Sequence, residues 1–327
     1  MTNRNQFTSF KNEHSDLQPI ICGVPQGSIL GPLLFILYVN DITYVSKNSS
    51  LVMFADDTNI FFKDTNLKRL EQTVNNELEL YFNWFASNKL SLNVSKTNFM
   101  VFNMPPGQKH DFNILINNDN LQAASYVKFL GVLIDSKLTW NDHISYLCSQ
   151  VAKGVGIIGR LKHILPKNVL RSIYLTLVYP HFSYCSLSWS GSNNTSLNKL
   201  NVLQKRAIRH ISSAAPRDHT SALFKSLNLL KFNDIIKVNI ATFTYRFVNN
   251  SLPQGFSHYF SQNRLVHNYN TRHSNHLRLP GNKRKFSKTG LCFRAINTWN
   301  SLPDSLTTKR SVYSFRYNLS RFLINQY

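Results

Sequence analysis

The feature that most constrains this chain is a change of periodicity near Trp140. Before it, apolar residues come in short runs broken by turn signals; after it, they recur every three or four residues over most of the remaining length. A chain written this way folds as an α+β part followed by a mostly helical part. The charge changes at the same place. Residues 1–140 hold 11 basic and 12 acidic residues, whereas residues 141–327 hold 26 basic and 4 acidic ones. The formal net charge of +21 therefore comes from the second part. A field of that sign suits a polyanion, and nucleic acid is expected ahead of an anionic membrane. Clusters such as Lys283-Arg284-Lys285 have neither a lipidation motif nor an amphipathic basic helix beside them.

Hydrophobic residues at 43%, with 13% aromatics, are enough for a sizeable core and exclude wholesale disorder. The longest mostly apolar stretch, Ile29 to Val39, is interrupted by Gly31 and Pro32. It falls short of the roughly 20 residues that a bilayer crossing needs. The N-terminus has no apolar core followed by a small-residue cleavage site, so an intracellular protein with no membrane partner is expected. Cys22, Cys148, Cys185 and Cys292 are scattered without zinc-type spacing and read as four buried thiols. His143, His163, His181, His210 and His219 lack any HExxH arrangement and read as helix-surface or core groups. Trp84, Trp140, Trp189 and Trp299 read as packing anchors.

Along the chain, a polar irregular opening leads to a strand at Pro19 to Cys22, then to a buried helix from Gly27 with Pro32 in its first turn. Leu51 to Phe54 and Asn59 to Phe62 flank Asp56-Asp57-Thr58 in the pattern of a tight hairpin. Leu67, Leu70, Val74, Leu78, Tyr81, Phe82 and Phe85 predict an amphipathic helix over 66–88. Strands follow at Leu90 to Leu92 and Thr97 to Phe102, with a turn at Pro105-Pro106-Gly107 and a second hairpin around Asn117 to Asn120. Val127 to Asp135 reads as one strand in which Gly131 tolerates a bulge. Helices are expected over Ile144 to Leu161, Val169 to Val178, Leu197 to Ile211 and Phe232 to Val248. Pro253 to Arg284 reads as a long loop or linker, and Gly290 to Leu323 as a segment that packs back.

Two places carry candidate chemistry. Adjacent strand residues point to opposite faces, so Asp56 and Asp57 can serve one side only where the backbone reverses. Such a tip either holds Mg²⁺, a hard cation that accepts one or two carboxylates plus phosphate oxygens, or simply makes an Asp-favoured turn. The flanking apolar strands place the acids on a buried sheet. Gly23-Val24-Pro25-Gln26-Gly27-Ser28 precedes a helix, where backbone N–H groups favour anions and two glycines allow close approach. A Gly-rich N-terminus capped by Ser28 satisfies the same pattern.

Taken together, GVPQGSILGPLLFILYVNDI, FADDT, LSLNVSKTNFMVF and VKFLGVLID, in that order and spacing, resemble the palm of reverse transcriptases from non-LTR retrotransposons, most closely jockey-like and chicken-repeat-like elements. LQKRAIRHI, NNSLP, Tyr269 to Arg272 and Trp299 to Pro303 extend the likeness into the family's thumb and C-terminal extension. The resemblance implies that Pro25, Gln26, Gly27 and Ser28 touch template and incoming nucleotide. It makes Asp56 the acid that binds both Mg²⁺ ions and Asp57 its supporting member. Asn93, Lys96 and Thr97 match the next palm motif, with Lys96 the proton donor to leaving pyrophosphate, and Phe129, Leu130 and Gly131 match the hairpin that grips the primer end. The implied partners are an RNA template, a DNA primer and dNTP, and the implied location is nucleus and cytoplasm.

The expected fold is thus α+β: a partial polymerase palm of antiparallel sheet plus helices over 1–140, a helical thumb over 141–215, and a basic helical extension over 216–327 with a loop near 253–287. Two-metal transfer needs a further aspartate from an earlier palm strand. MTNRNQF resembles the stretch just after that strand, and Asp41, Asp64 and Asp135 read as helix-end, turn and strand-end residues. The expectation is a domain fragment that polymerises little or nothing alone. The alternative is a non-catalytic nucleic-acid-binding protein that uses Lys205, Arg206 and Arg209 on its helical half. A third reading, an Asp-based metal phosphatase, is weak, because the DxD-type spacing is missing and Asp56-Asp57-Thr58 lies between strands rather than after one.

Overall fold

The computed structural model describes residues 4–20, 23, 24, 27–102, 104, 110–261, 276–279 and 290–327. It divides into two compact units, Met1–Ala124 and Ser125–Tyr327. The first mixes short strands with helices and the second is mostly helical, an α+β chain in all.

The polar opening is more ordered than its composition suggests. β1 (Arg4–Gln6) pairs antiparallel with β4 (Gln18–Ile20), and β2 (Ser9–Phe10) with β3 (Glu13–His14). Lys11 and Asn12 reverse the chain between β2 and β3 at φ 49° and 68°, the two positive values that a tight hairpin turn requires. α1 (Leu30–Val39) carries Pro32 in its first turn and is followed by a 3₁₀ turn at Asn40–Tyr44. It is apolar all round, and the expected burial is not found: Leu33, Ile36 and Leu37 are each more than half exposed, while only Gly31 and Val39 are buried. Apolar composition without a polar face gives the helix no preferred inner side, and no described element of its own unit buries it.

β5 (Ser50–Phe54) and β6 (Asp57–Phe61) form an antiparallel hairpin in the register Phe54↔Asp57. α2 (Leu67–Ser87) follows. Asn66 caps it by accepting a hydrogen bond from the backbone N–H of Arg69 at 3.1 Å. Its Val74, Leu78 and Phe82 pack on a small core of Ile114, Ile116 and Leu121. Asn75 locks the contact, accepting from Leu115 N–H and donating to the Asn113 carbonyl, each at 2.9 Å. Leu90–Leu92 forms no strand, as no described segment pairs with it. After a 3₁₀ turn at Val94–Lys96 come β7 (Asn98–Phe99), β8 (Leu115–Ile116), β9 (Asp119–Asn120) and β10 (Gln122–Ala123). β8 and β9 make the hairpin expected around Asn117 and Asn118, and β10 pairs parallel with β7. The described strands do not join into one antiparallel sheet; they form separate two-stranded ladders. The turn expected at Pro105 to Gly107 and most of the 253–287 loop lie outside the described residues.

The second unit opens with β11 (Tyr126–Phe129) and β12 (Val132–Asp135). The single strand expected over 127–135 is a hairpin, because Leu130 and Gly131 both take positive φ, 46° and 79°, and turn the chain back. Asp135 then closes the next turn: its carboxylate accepts from the backbone N–H groups of Lys137, Thr139 and Trp140 at 3.1, 3.0 and 2.7 Å. Helices follow at α3 (Asn141–Leu161), α4 (Lys167–Leu177), α5 (Tyr179–Ser183), α6 (Ser186–Trp189), α7 (Asn194–Ile211), α8 (Ser221–Ser226) and α9 (Phe232–Val248). The C-terminal segment supplies α10 (Leu291–Asn300), α11 (Asp304–Thr307) and α12 (Val312–Asn325).

α3 and α7 lie side by side with matching ends, Ser196 donating to Asn141 at 3.0 Å near their starts and Gly159 meeting the His210 ring near their ends. A Cβ on Gly154 would come within 2.8 Å of Val178, so this glycine lets α3 approach the end of α4. Trp189, Phe182, Phe232, Tyr174 and Leu200 are fully buried around α9. Each contributes about 1.5–3 kcal/mol on the usual scale for burying a large apolar side chain. The buried Gln204 amide satisfies the core's polar atoms, donating to Tyr174 Oη and the Leu230 carbonyl and accepting from Phe232 N–H at 2.7 Å. Trp189 and Trp299 are the packing anchors the sequence predicts. The thiols are less buried than expected, Cys185 being exposed and Cys148 and Cys292 half-buried. Cys22 lies outside the described residues.

Candidate functional site

Asp56 and Asp57 stand at the closed end of the β5–β6 hairpin. Ala55 and Asp56 form its two-residue turn, and Asp57 begins the returning strand opposite Phe54. Ala55 takes φ 52°, a left-handed conformation that costs an L-residue about 1–2 kcal/mol. The turn is thus held by the ladder on either side rather than by the preference of its own residues. Both carboxylates are exposed, and neither has a hydrogen-bond or ion-pair partner in its side chain among the described residues. The sheet that carries them is not buried as expected: Val52, Phe54 and Phe61 are 45%, 60% and 50% exposed. Two adjacent oxygen-donor groups with open positions around them match what Mg²⁺ takes, one or two carboxylates with the remaining positions left to water and phosphate. No third His, Cys, Asp or Glu joins them in a cluster among the described residues.

Asp41 and Asp64 have other places. Asp41 lies exposed in the 3₁₀ turn after α1, and Asp64 binds Arg69 at 2.6 Å. That side-chain bond to Arg69, with the backbone N–H of Asn66, holds the Asp64 carboxyl well below the usual range. For Asp135, burial pushes the carboxyl up, but the N–H groups of Thr139, Trp140 and Lys137 outweigh it and the net shift is downward.

Gly27 is exposed at φ 83°, and Ser28 Oγ accepts from the Gly31 N–H at 3.0 Å. Ser28 therefore serves as a cap for α1, and a glycine at that φ leaves its surroundings open, with no atom within 4 Å of where a Cβ would stand. Pro25 and Gln26 lie outside the described residues. Lys96 ends an exposed 3₁₀ turn whose Asn93 side chain accepts from Lys96 N–H and Ser95 Oγ. No hydrogen bond or ion pair joins Lys96 to Asp56 or Asp57 among the described residues.

Phe129 ends β11 opposite Val132, and Leu130 and Gly131 form the turn of the β11–β12 hairpin. It is pinned by Tyr184, whose hydroxyl donates to the Leu130 carbonyl at 2.6 Å and whose ring lies 3.6 Å from where a Gly131 Cβ would be. Sequence reasoning missed Tyr184, which lies 54 positions away with nothing local to mark it. On α7, Arg206 is exposed and Lys205 half-buried, while Arg209 Nε donates to the Asp218 carbonyl at 3.0 Å. The His210 ring is held below the usual histidine range by burial and then by the charges of Lys162 and Arg206, which places three basic groups together where α3 and α7 end.

Residues 2–134 match the family model described as reverse transcriptase (RNA-dependent DNA polymerase). The chain is 26% identical over 250 residues to the RNA-directed DNA polymerase from mobile element jockey of Drosophila melanogaster, covering 73% of this chain and 27% of that protein. It is 24% identical over 241 residues to the probable RNA-directed DNA polymerase from transposon X-element of the same fly, covering 70% and 25%. Over 186 residues it is 27% identical to a Pol polyprotein from type-1 retrotransposable element R1 2 of Nasonia vitripennis, covering 51% and 43%. The chain thus spans about a quarter of the length of the first of these relatives. No solved structure matches it.

Proposed function

We propose that this chain, whose residues 2–134 match the reverse transcriptase family model, carries its nucleotidyl-transfer centre on the Asp56–Asp57 hairpin, with RNA as template, DNA as primer and dNTP as substrate. The observation that carries this reading is the hairpin itself: two consecutive carboxylates at an exposed turn, neither paired with a cation among the described residues. Asp56 would hold both Mg²⁺ ions and Asp57 would support it. When bound, the two ions stabilise the attacking and leaving oxygens of an in-line displacement at the α-phosphate. The chain's own residues bind and orient. Pro25, Gln26, Gly27 and Ser28 present a Gly-opened backbone to template and nucleotide, Lys96 Nζ gives a proton to the departing pyrophosphate, and Phe129, Leu130 and Gly131 hold the primer end. In this reading residues 1–140 act as palm and residues 141–215 as thumb.

A two-ion site calls for a further carboxylate, and none stands with the pair among the described residues. The chain by itself is therefore proposed to extend primers weakly or not at all. The test is Mg²⁺-dependent primer extension on an RNA template by the chain alone and by a longer polypeptide that adds the preceding coding segment, each beside Asp56→Ala. The expected result is extension only by the longer polypeptide, abolished by Asp56→Ala. Extension that survives Asp56→Ala would remove the hairpin from the chemistry.

A second reading rests on a different observation. Residues 141–327 carry 26 basic and 4 acidic residues, and both ion pairs found among the described residues lie in the first unit. Arg206, Arg316 and Arg321 are among the basic residues exposed on the helical unit, and the unit would bind nucleic acid whether or not the hairpin is active. Affinity falling steeply with salt is the expected sign.

A further inference from the structure

The solvent face of α12 has a composition that its fold does not require. Phe315, Leu319 and Leu323 turn inward and are buried. The opposite face carries Tyr313, Arg316, Tyr317, Ser320 and Arg321, at the three- and four-residue steps of one helical stripe. Tyr313 and Tyr317 are 80% and 51% exposed, and their rings lie nearly parallel, 11° apart in plane with centroids 6.5 Å apart. Arg321 continues the row. Its guanidinium carbon is 5.7 Å from the Tyr317 ring centre, and its Nη1 donates to the Tyr317 hydroxyl at 3.1 Å. Single exposed tyrosines are ordinary. Two with parallel rings, followed by an arginine at the hydroxyl edge of the second, form an exposed row of π groups and a cation, about 12 Å long at the helical rise.

We infer that this ladder is a stacking platform for single-stranded nucleic acid. Flat aromatic faces beside cations accept unpaired bases with little regard to sequence, the rings taking the base and the arginines the phosphate. The charge agrees: residues 290–327 hold five basic residues and one acidic one, and α12 itself contains no acid. A lipid surface fits poorly, because the apolar face of α12 is buried in the core and the exposed face is tyrosine, serine and arginine. A duplex fits poorly too, because its bases are already stacked and offer no face to the tyrosines. This inference rests on the reading of the helical unit as a nucleic-acid binder and gives that unit a defined contact; it is independent of the Asp56–Asp57 hairpin.

The test uses the full chain in fluorescence anisotropy with a mixed-sequence 12-nucleotide RNA, the same sequence as single-stranded DNA, and the corresponding duplex, each over a salt series. The Tyr313→Ala/Tyr317→Ala variant is expected to lose about tenfold or more in single-strand affinity, with the salt slope and duplex affinity kept. Tyr313→Phe/Tyr317→Phe keeps the rings and should stay within about threefold of the parent. Arg316→Gln and Arg321→Gln should each make the salt slope shallower by about one unit. Equal losses on RNA and single-stranded DNA support a platform for either strand, and a loss on RNA alone supports recognition of the 2′-hydroxyl as well. Unchanged single-strand binding by the alanine pair, beside salt-dependent binding by the parent, would overturn the platform and leave the basic-half reading standing. No binding by the parent at low salt would overturn both.

Discussion

In Ser125–Tyr327 the large side chains turn inward: Trp189, Tyr174, Phe182, Phe224, Phe232 and Phe315 are all fully buried in one continuous cluster. In Met1–Ala124, Leu33, Ile36, Leu37 and Phe54 face outward, and the cluster behind α2 is built on only Ile114, Ile116 and Leu121. Both units have apolar residues enough for a core, so composition does not separate them. Periodicity does. Helices with a three-to-four-residue apolar stripe can close on one another, whereas an all-apolar α1 and isolated two-stranded ladders find no second layer among the described residues of their unit. The Asp56–Asp57 hairpin lies in the open unit and the excess charge in the closed one.

The strongest way to break this contrast is to attack the closed core. Trp189→Ala removes a ring that stacks near Phe232 and donates through Nε1 to the Tyr184 carbonyl at 2.9 Å. It should cost about 4 kcal/mol, seen as a fall in the urea midpoint of helical circular dichroism. A change under about 1 kcal/mol would mean that the core is not shared among the helices. Next comes Asp135→Ala, which leaves three backbone N–H groups without their acceptor and should cost about 3 kcal/mol by the same measurement. Because the folded carboxyl lies below its ordinary value, this stabilisation is present above about pH 4 and is lost as pH falls through the folded value. The difference between parent and variant should therefore narrow in acid and stay constant near neutrality.

His143 sharpens the contrast by pH. It is buried on α3 and accepts from the Leu133 N–H at 3.4 Å, and burial pushes its pKa down to about 4. Unfolded chains take up the proton first, so stability is full above about pH 6.5 and declines toward about pH 4, by roughly 2–3 kcal/mol in all. His143→Leu should flatten that slope in a series of denaturation midpoints; an unchanged slope would assign the pH dependence elsewhere. The smallest effect is expected on α1, where Leu33→Glu/Leu37→Glu should change stability by less than about 0.5 kcal/mol in the same denaturation midpoints, because both side chains are exposed. A large destabilisation there would mean that α1 is covered after all.

The sequence makes some of this legible and physics explains the remainder. α2 and α9 follow from unbroken apolar stripes, and the β5–β6 hairpin from two apolar runs around Asp56 and Asp57. Hydropathy cannot say what covers an apolar helix, which is why α1 reads as buried and is exposed. The turn at Leu130-Gly131 is hidden because it needs positive φ at a leucine, a conformation that tertiary contact from Tyr184 supports and local preference does not. The acids of the candidate site are legible as a turn, but their exposure is not, because it depends on the absence of a covering layer. The Tyr313–Tyr317–Arg321 row could have been read from its i, i+4, i+8 spacing against the buried Phe315, Leu319 and Leu323.

The central claim is that the unit bearing Asp56 and Asp57 is open while the helical unit is built on one continuous core, and hydrogen exchange followed by peptide mass spectrometry tests it most directly. Amides of α3, α7 and α9 should exchange about a thousandfold more slowly than those of the β5–β6 hairpin. Equal protection of β5–β6 and α7 would contradict the account.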